Sequence, residues 1–413
     1  MRIVIKFGGT SLSTPEQLRK MAAGVKAIWA GNEIAVVVSA MGNTTSQLVA
    51  LLKGVGKKDS DIWEVSGVVG MGEVISAKLM ALALRGAGAR AEAIVPSMND
   101  WPVFADVIGS EILKEDKVNQ EPLAVINLVK TQEACSKKII PRMQKGQIPV
   151  LCGFLGSDDR GRTVAIGRGG SDISAVALGR CLGADRVIIV TDVPGVLRAD
   201  PRVIRNSKSI EKISISELET LSRGGARVIH PSSLQYKLPG QELFIVDCKS
   251  RNFLKGGTQI VGKKQARVAR TRARLACIMV VGRDFIGTPG LLNAVTDKLA
   301  KMKISIYGVT VSEGFIGVYV MEKVAERSCR AIFGVIESQP RFQALSTRKG
   351  IGRLRMSSGA FIEQPGVIGR IGDLLAMKGI NIIEMVTIQS DITLFLDMED
   401  LTKAYNLLRK LAF

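Results

Sequence analysis

The chain has 413 residues, enough for two or three domains. Its 46% apolar content excludes a chain dominated by disorder, and its 23% charged content is that of a globular protein with a sizeable core. Lysine and arginine number 57 against 38 acidic residues, a formal charge of +19 that favours polyanionic ligands such as nucleotides, while 5% aromatics and no stacking motif argue against nucleic acid.

In chain order, residues 2–9 (RIVIKFGG) read as a strand breaking into a glycine turn. The start carries Lys6 inside its apolar run and has no cleavage-like site, so it does not read as a signal peptide and a cytoplasmic chain is expected. Residues 13–30 follow with a capping start, STPEQ, and helical spacing. Residues 33–40 (EIAVVVSA) form a continuous apolar run, the pattern of a strand buried on both faces. A helix is expected over 73–85, a strand over 89–95, a helix over 130–145 and a strand over 147–154. A helix over 171–183 and strands over 185–192 and 243–247 complete the series. Such strand–helix alternation predicts an α/β, mostly parallel, doubly wound sheet with ligands at the carboxyl ends of its strands. No uncharged apolar stretch approaches the roughly 18 residues of a membrane span, so no membrane partner is expected.

The last third contains an approximate repeat. Residues 276–321 give a strand, an x-Pro-Gly turn, a helix and two strands, and residues 353–398 give the same order. A helix is expected after each copy, over 323–337 and 399–411. Both copies read as small ferredoxin-like units. Residues 341–350 (RFQALSTRKG) are expected to close the first sheet; the second lacks a closing strand, and the basic stretch at 263–274 is a candidate to cover its edge. The expected division is therefore 1–262, a basic linker or edge strand at 263–274, then 275–350 and 351–413.

Five clusters fall at strand ends. Lys6-Phe7-Gly8-Gly9-Thr10-Ser11 joins a lysine to backbone N–H groups free to face a phosphate, although Gly-Gly alone is as compatible with a tight turn. Gly167-Arg168-Gly169-Gly170-Ser171-Asp172 opens a helix; Arg168 suits a carboxylate and Asp172 an ammonium, while Ser171 or Asp172 alone would be an ordinary cap. Thr191-Asp192-Val193-Pro194-Gly195, followed by Ala199-Asp200-Pro201-Arg202, suits a nucleotide pocket or a plain turn. Ser39 to Thr45 and Gly72-Glu73 complete the set, Glu73 also being a favourable helix-start charge. There is one histidine, His230, no GxSxG elbow, and no CxxC pair among Cys135, Cys152, Cys181, Cys248, Cys277 and Cys329. Zinc, disulfide and triad chemistry are poor readings; buried thiols in a reducing compartment fit better.

With these motifs in this order, the chain resembles the aspartate kinases of the amino-acid kinase superfamily. The resemblance rests on KFGGTS (6–11), SAMGNTT (39–45), Gly72-Glu73, GFLG (153–156), GRGGSD (167–172), TDVPGV with ADPR (191–202) and GARVIHP (225–231). It implies an amino-acid kinase fold followed by two ACT domains, and phosphorylation of the β-carboxylate of L-aspartate by ATP with Mg2+. That reaction is the first step of the aspartate-family pathway to lysine, threonine and methionine. It further implies a homodimer or higher homo-oligomer and an amino-acid effector. The nucleophile is a substrate carboxylate, ionised at pH 7, so no general base is needed, which suits a chain with a single histidine.

The roles implied are as follows. Lys6, Arg168 and Asp192 are catalytic. Ser39, Thr45, Glu73, Phe154, Arg168, Ser171 and Asp172 bind aspartate. Lys6, Gly8, Gly9, Thr191, Asp192, Arg202 and Arg227 bind ATP. Pro289, Gly290, Leu291, Pro365, Gly366 and Val367 bind the effector, no protein metal cage is expected, and His230 is structural. The sequence departs from the family pattern at Val164-Ala165-Ile166, Leu197 and Arg227, and in the two ACT turns, Gly287-Thr288-Pro289-Gly290 and Glu363-Gln364-Pro365-Gly366. Another carboxylate or phosphate kinase of the same superfamily, and a non-catalytic amino-acid sensor, are the alternatives.

Overall fold

The computed structural model describes residues 1–55, 61–108, 123–223, 228–262, 268–286, 288–357, 366–388 and 391–411. The chain divides into two compact units, Met1–Gln265 and Ala266–Phe413.

The first unit carries strands β1 (Arg2–Phe7), β2 (Glu33–Val38), β3 (Ala91–Ile94), β4 (Ala105–Val107), β5 (Ala124–Ile126), β6 (Ile148–Cys152), β7 (Leu155–Ser157), β8 (Thr163–Ala165), β9 (Arg186–Thr191), β10 (Lys212–Ser214), β11 (Glu242–Asp247) and β12 (Thr258–Val261). Eight of them form one sheet in the order β10-β12-β11-β9-β1-β2-β6-β3. All its pairings are parallel except β11 with β12. The interior strands β1 and β2 are buried at five of six positions, which is why their sequences do not alternate.

Helices of this unit are α1 (Pro15–Trp29), α2 (Thr44–Val55), α3 (Ile62–Val69), α4 (Met71–Gly86), α5 (Leu128–Ala134), α6 (Ile140–Gln144), α7 (Gly170–Cys181) and α8 (Ile215–Arg223). The start of α1 is held as its sequence predicts, with Pro15 in the first turn and the Thr14 hydroxyl accepting the Gln17 N–H. The single helix expected over 130–145 is α5 and α6 joined by a π turn over Cys135–Ile139. α3 and α4 run on as one helix, Ile62–Gly86, long and apolar enough by length and composition to cross a membrane. Glu73 and Lys78 interrupt its apolar run, and half of its most apolar window is buried in the fold.

The second unit has β13 (Val268–Arg270), β14 (Leu275–Gly282), β15 (Gly308–Val311), β16 (Phe315–Met321), β17 (Phe342–Ser357), β18 (Ile382–Ile388) and β19 (Asp391–Asp397), with α9 (Leu291–Lys301), α10 (Ala325–Ile336), α11 (Val367–Ala376) and α12 (Leu401–Leu408). The strand order is β15-β16-β14-β17-β19-β18, with β13 also on β17. Two separate strands were expected around 341–362, and one 16-residue strand is found. It pairs with β14 up to Ile351 and with β19 from Ile351 onward, turning partner beside Gly350, whose φ of +76° a side chain would resist. The half-strand that closes the first ferredoxin-like set thus runs directly into the half-strand that opens the second. β13 pairs with Leu354–Met356, so the edge left open by the second set is occupied by a strand from before the first. Three apolar clusters result among the described residues: one under α9 and α10, around Ile278, Val295 and Ile332, another under α11 and α12, around Leu354, Ile371 and Leu394, and a smaller one around Cys277, Tyr319 and Phe395.

Candidate active site

Parallel strands β9, β1 and β2 lie side by side and end together, where a doubly wound sheet opens a crevice. The turn after β1 is pinned to both neighbours. The Gly8 N–H donates to Val190 O at 3.2 Å, and the Gly42 N–H donates to Gly9 O at 3.0 Å. A Cβ on Gly9 would sit 2.5 Å from Ala40 O, so only glycine lets the turn close on the end of β2.

Lys6 is nearly buried, and its Nζ stands 2.6 Å from Asp172 Oδ1. Asp172 belongs to the first turn of α7, whose N-cap, Gly169, has φ +71°. Its other oxygen, Oδ2, accepts the main-chain N–H of His230 at 3.1 Å. The His230 ring lies over Gly169, where a Cβ would fall 2.2 Å from the ring's Cγ. Burial lowers the proton affinity of His230, the Arg168 charge lowers it further and Asp172 opposes both, leaving a neutral imidazole at pH 7. Its Nδ1 has no hydrogen-bond partner among the described residues, so the ring packs while the backbone binds.

On the other side of the crevice, the Ser39 hydroxyl donates to Ser171 Oγ at 2.8 Å. Gly153 permits this approach, since a Cβ there would lie 2.7 Å from Ser171 Cβ. Phe154 has φ +66°, a costly backbone for an aromatic residue, and its N–H is held by Ser174 Oγ at 3.1 Å. Glu73, in the first turn of α4, is buried, and its Oε1 accepts the Ala40 N–H at 3.1 Å. Its Oε2 has no partner among the described residues. Burial pushes this carboxyl up to about 7, against the lowering effect of the Ala40 and Glu73 N–H groups. A buried carboxylate oxygen without a donor is a cation site in waiting, and α-ammonium chemistry fits it.

Lys6, Gly8, Gly9, Ser39, Glu73, Phe154, Ser171 and Asp172 are therefore brought together by short contacts around the ends of β1 and β2. Thr191 and Asp192 end β9 next door; Asp192 is exposed and accepts the Thr191 hydroxyl at 3.2 Å. Arg168 is exposed and has no ion pair among the described residues. Arg202 is exposed and held by its neighbour Asp200 at 2.7 Å, apart from these contacts. Thr44 and Thr45 begin α2 and are half-buried, and Thr44 would meet a Cβ on Gly72. Arg227, Gly287, Glu363, Gln364 and Pro365 lie outside the described residues.

Val164, Ala165 and Ile166, where the sequence departs from the family pattern, are core residues, and the Ala165 N–H donates to Ser66 Oγ at 3.0 Å. Leu197 is half-buried and bridges to Ser209. In the second unit, Gly290 and Gly366 cap α9 and α11 with φ +93° and +80°. Leu291 and Val367 are buried, which leaves their N–H groups rather than their side chains for a ligand. Among the described residues no three acidic, histidine or cysteine side chains converge as a metal cage. Ala40 and Ser174, not among the expected binding residues, act through single backbone or hydroxyl groups that carry no composition signal, while His230 has the structural role expected of it.

A model of the amino acid kinase family matches residues 1–247. Aspartokinase 2 of Bacillus subtilis is 26% identical over 412 residues, covering 97% of this chain and 95% of its own. The crystal structure of aspartate kinase from Synechocystis superposes with a TM-score of 0.77 at 24% identity, covering 98% of this chain and 68% of that one. Escherichia coli aspartokinase III, solved with lysine and aspartate (T-state) and with aspartate and ADP (R-state), gives TM-scores of 0.54 at 21% identity, covering 98% of this chain and 99% and 98% of those chains.

Proposed function

The chain belongs to the amino acid kinase family, and from that premise we propose that it is an aspartate kinase, transferring the γ-phosphoryl group of ATP to the β-carboxylate of L-aspartate to give 4-phospho-L-aspartate and ADP. The observation that carries this reading is the pair of buried charges facing one crevice: Lys6, held by Asp172, and Glu73, with one oxygen unpartnered.

The substrate β-carboxylate is ionised at neutral pH and attacks phosphorus directly; the bond to the β,γ-bridging oxygen breaks, and ADP leaves with the electron pair. Such a transfer asks the protein for position and charge neutralisation rather than for a base. Lys6 supplies positive charge to the transferring group, and Asp172 holds the ammonium in place while the His230 N–H holds Asp172. Gly9 presents backbone at the phosphates, while the Gly8 N–H, expected to join it, is already donated to Val190 O and holds the turn in place. Glu73 takes the substrate ammonium, Arg168 its α-carboxylate, and Ser39, Ser171 and Phe154 shape the space between. Thr191 and Asp192 line the nucleotide side, and Arg202 is the exposed arginine assigned to the nucleotide. Mg2+ bound to the nucleotide would take most of its ligands from phosphate and water, with Asp192 as the available protein carboxylate, and would spread the charge of the triphosphate.

The ferredoxin-like units read as ACT domains that bind an aspartate-family amino acid, lysine or threonine, at the N-termini of α9 and α11, in a homo-oligomeric, feedback-controlled biosynthetic enzyme. Calorimetric titration showing no binding of any such amino acid would remove the regulatory part.

The catalytic reading is tested by trapping acyl phosphate as hydroxamate, with aspartate, glutamate and acetylglutamate, for the parent chain and Lys6→Ala. Aspartate-dependent product that disappears in Lys6→Ala is expected. No product from folded protein that still binds ATP overturns the assignment.

A further inference from the structure

The chain leaves β6 through Gly153, Phe154 and Leu155, and Phe154 turns it with φ +66°. The Leu155 N–H donates to Gly153 O at 2.8 Å, which closes a three-residue γ-turn of the rare, strained hand. A residue with a Cβ keeps such a conformation only where its surroundings hold it there.

Three bonds hold this one. The Gly153 N–H donates to Val38 O, at the end of β2, at 2.8 Å, and Phe154 O accepts the Ile166 N–H, just after β8, at 2.8 Å. Both are main-chain bonds, open to almost any sequence. The third runs from the Phe154 N–H to Ser174 Oγ at 3.1 Å and needs a hydroxyl. Ser174 is fully buried in the second turn of α7, so it acts on the site through Phe154 and touches no substrate itself. The turn rests directly on the start of the same helix. A Cβ on Gly153 would lie 2.7 Å from Ser171 Cβ, and one on Gly170 would lie 2.8 Å from the Phe154 ring. Loss of the hydroxyl would leave a buried N–H without an acceptor on a residue already strained, and relaxation of the turn would relieve both at once.

We propose that Ser174 is a positioning residue for the amino-acid side of the site: its hydroxyl holds Phe154 in the strained turn, and the turn fixes the space between Ser39, Ser171 and Phe154. This rests on the reading of the chain as an aspartate kinase. The turn after β1, on the nucleotide side, has main-chain bonds of its own to Val190 and Gly42. Without the Ser174 hydroxyl the relaxed turn becomes the resting state, and aspartate binds only the fraction that keeps the strained one. Saturating aspartate restores that turn, so the loss falls on KM for aspartate.

The test is hydroxamate formation by the full chain with aspartate and ATP varied in turn. Ser174→Ala should raise KM for aspartate about 10-fold, with kcat and KM for ATP within about twofold of the parent. Ser174→Thr, which keeps a hydroxyl, should rescue KM for aspartate. Ser174→Val, of the same shape without one, should not, and any crowding by the added methyl group is common to the two. Glycine adopts positive φ freely, so on a Phe154→Gly background Ser174→Ala should change KM for aspartate less than about threefold. A role confined to packing α7 would give the same change on both backgrounds. An unchanged KM for aspartate in folded Ser174→Ala, equal rises in KM for both substrates, Ser174→Thr no better than Ser174→Val, or an undiminished effect on the Phe154→Gly background overturns the proposal. In each of these cases the parent still makes aspartate-dependent acyl phosphate, and the kinase reading stands. A parent that makes none overturns that reading and this inference with it. If Ser174→Ala does not fold, the Thr and Val pair decides.

Discussion

Replacing Glu73 by Gln separates the chemistry of this side chain from its cost. Its carboxyl lies at about 7 instead of 4.5 because burial disfavours the anion. At about 1.4 kcal/mol per pH unit, holding it ionised in the fold costs roughly 3 kcal/mol above pH 7. Between pH 4.5 and 7 the folded chain keeps a proton that the unfolded chain has lost, so stability falls as pH rises through that window. Glutamine keeps an oxygen for the Ala40 N–H and does not titrate. Glu73→Gln should therefore melt close to the parent at pH 4.5 and gain on it as pH rises, reaching about 5–10 °C by pH 8 in ligand-free protein. The same change removes the charge partner of the substrate ammonium, a contact worth roughly 1.5–3 kcal/mol. kcat/KM for aspartate should then drop about 10- to 100-fold, mostly through KM, with KM for ATP little changed. The parent itself should bind aspartate less tightly as pH falls below about 7 and Glu73 takes up its proton. Thermal scans across pH and hydroxamate rates measure both effects. A melting difference that does not vary with pH, together with unchanged aspartate binding, would refute the assignment of Glu73 as a buried, ammonium-binding carboxylate.

Asp172→Asn leaves the nearly buried Lys6 without its 2.6 Å partner, and should cost about 3 kcal/mol in denaturant unfolding while lowering kcat at least tenfold. Gly169→Ala must both adopt φ +71° and displace the His230 ring; a loss of about 2 kcal/mol and of activity is expected, and a fully active, equally stable variant would deny that His230 positions Asp172. Val268→Asp puts a charge into the core under α11 and α12 and should destabilise the second unit by about 3 kcal/mol in hydrogen exchange, with Lys6 chemistry intact; no effect would deny β13 its place in that sheet.

What was legible in the sequence was local. Gly8-Gly9 after an apolar strand, Ser171-Asp172 near a helix start and Thr14 before Pro15 each announce a backbone geometry within a few residues; the turn and both helix starts are found, but α7 is capped by Gly169 without a side-chain bond, since Asp172 is turned to Lys6 and the His230 N–H. What was not legible depends on chain segments meeting across long separations. Asp172 is held by a backbone N–H 58 residues away, and Glu73 by one 33 residues away, and a backbone N–H looks the same in every residue. The expected break at 350/351 is absent because Gly350 lets a continuous strand, β17, change partners. α4 is apolar nearly all round, and periodicity alone does not say which side the sheet covers.

Composition was the least specific guide to the site. The charge of +19 fits a chain that meets polyanions, yet the contacts at the ends of β1 and β2 set Lys6 against Asp172 and bury Glu73 close by. That local balance is what a substrate with both an ammonium and two carboxylates requires: a uniformly basic pocket would hold the triphosphate and reject the amino group. Asp172 is already neutralised by Lys6 and the His230 N–H, and Asp192 opens to solvent, which leaves Glu73 as the buried acid with an oxygen to spare. On the proposed function, selectivity for an α-amino acid over a simple carboxylate would rest on that oxygen atom and on the helix α4 that carries it.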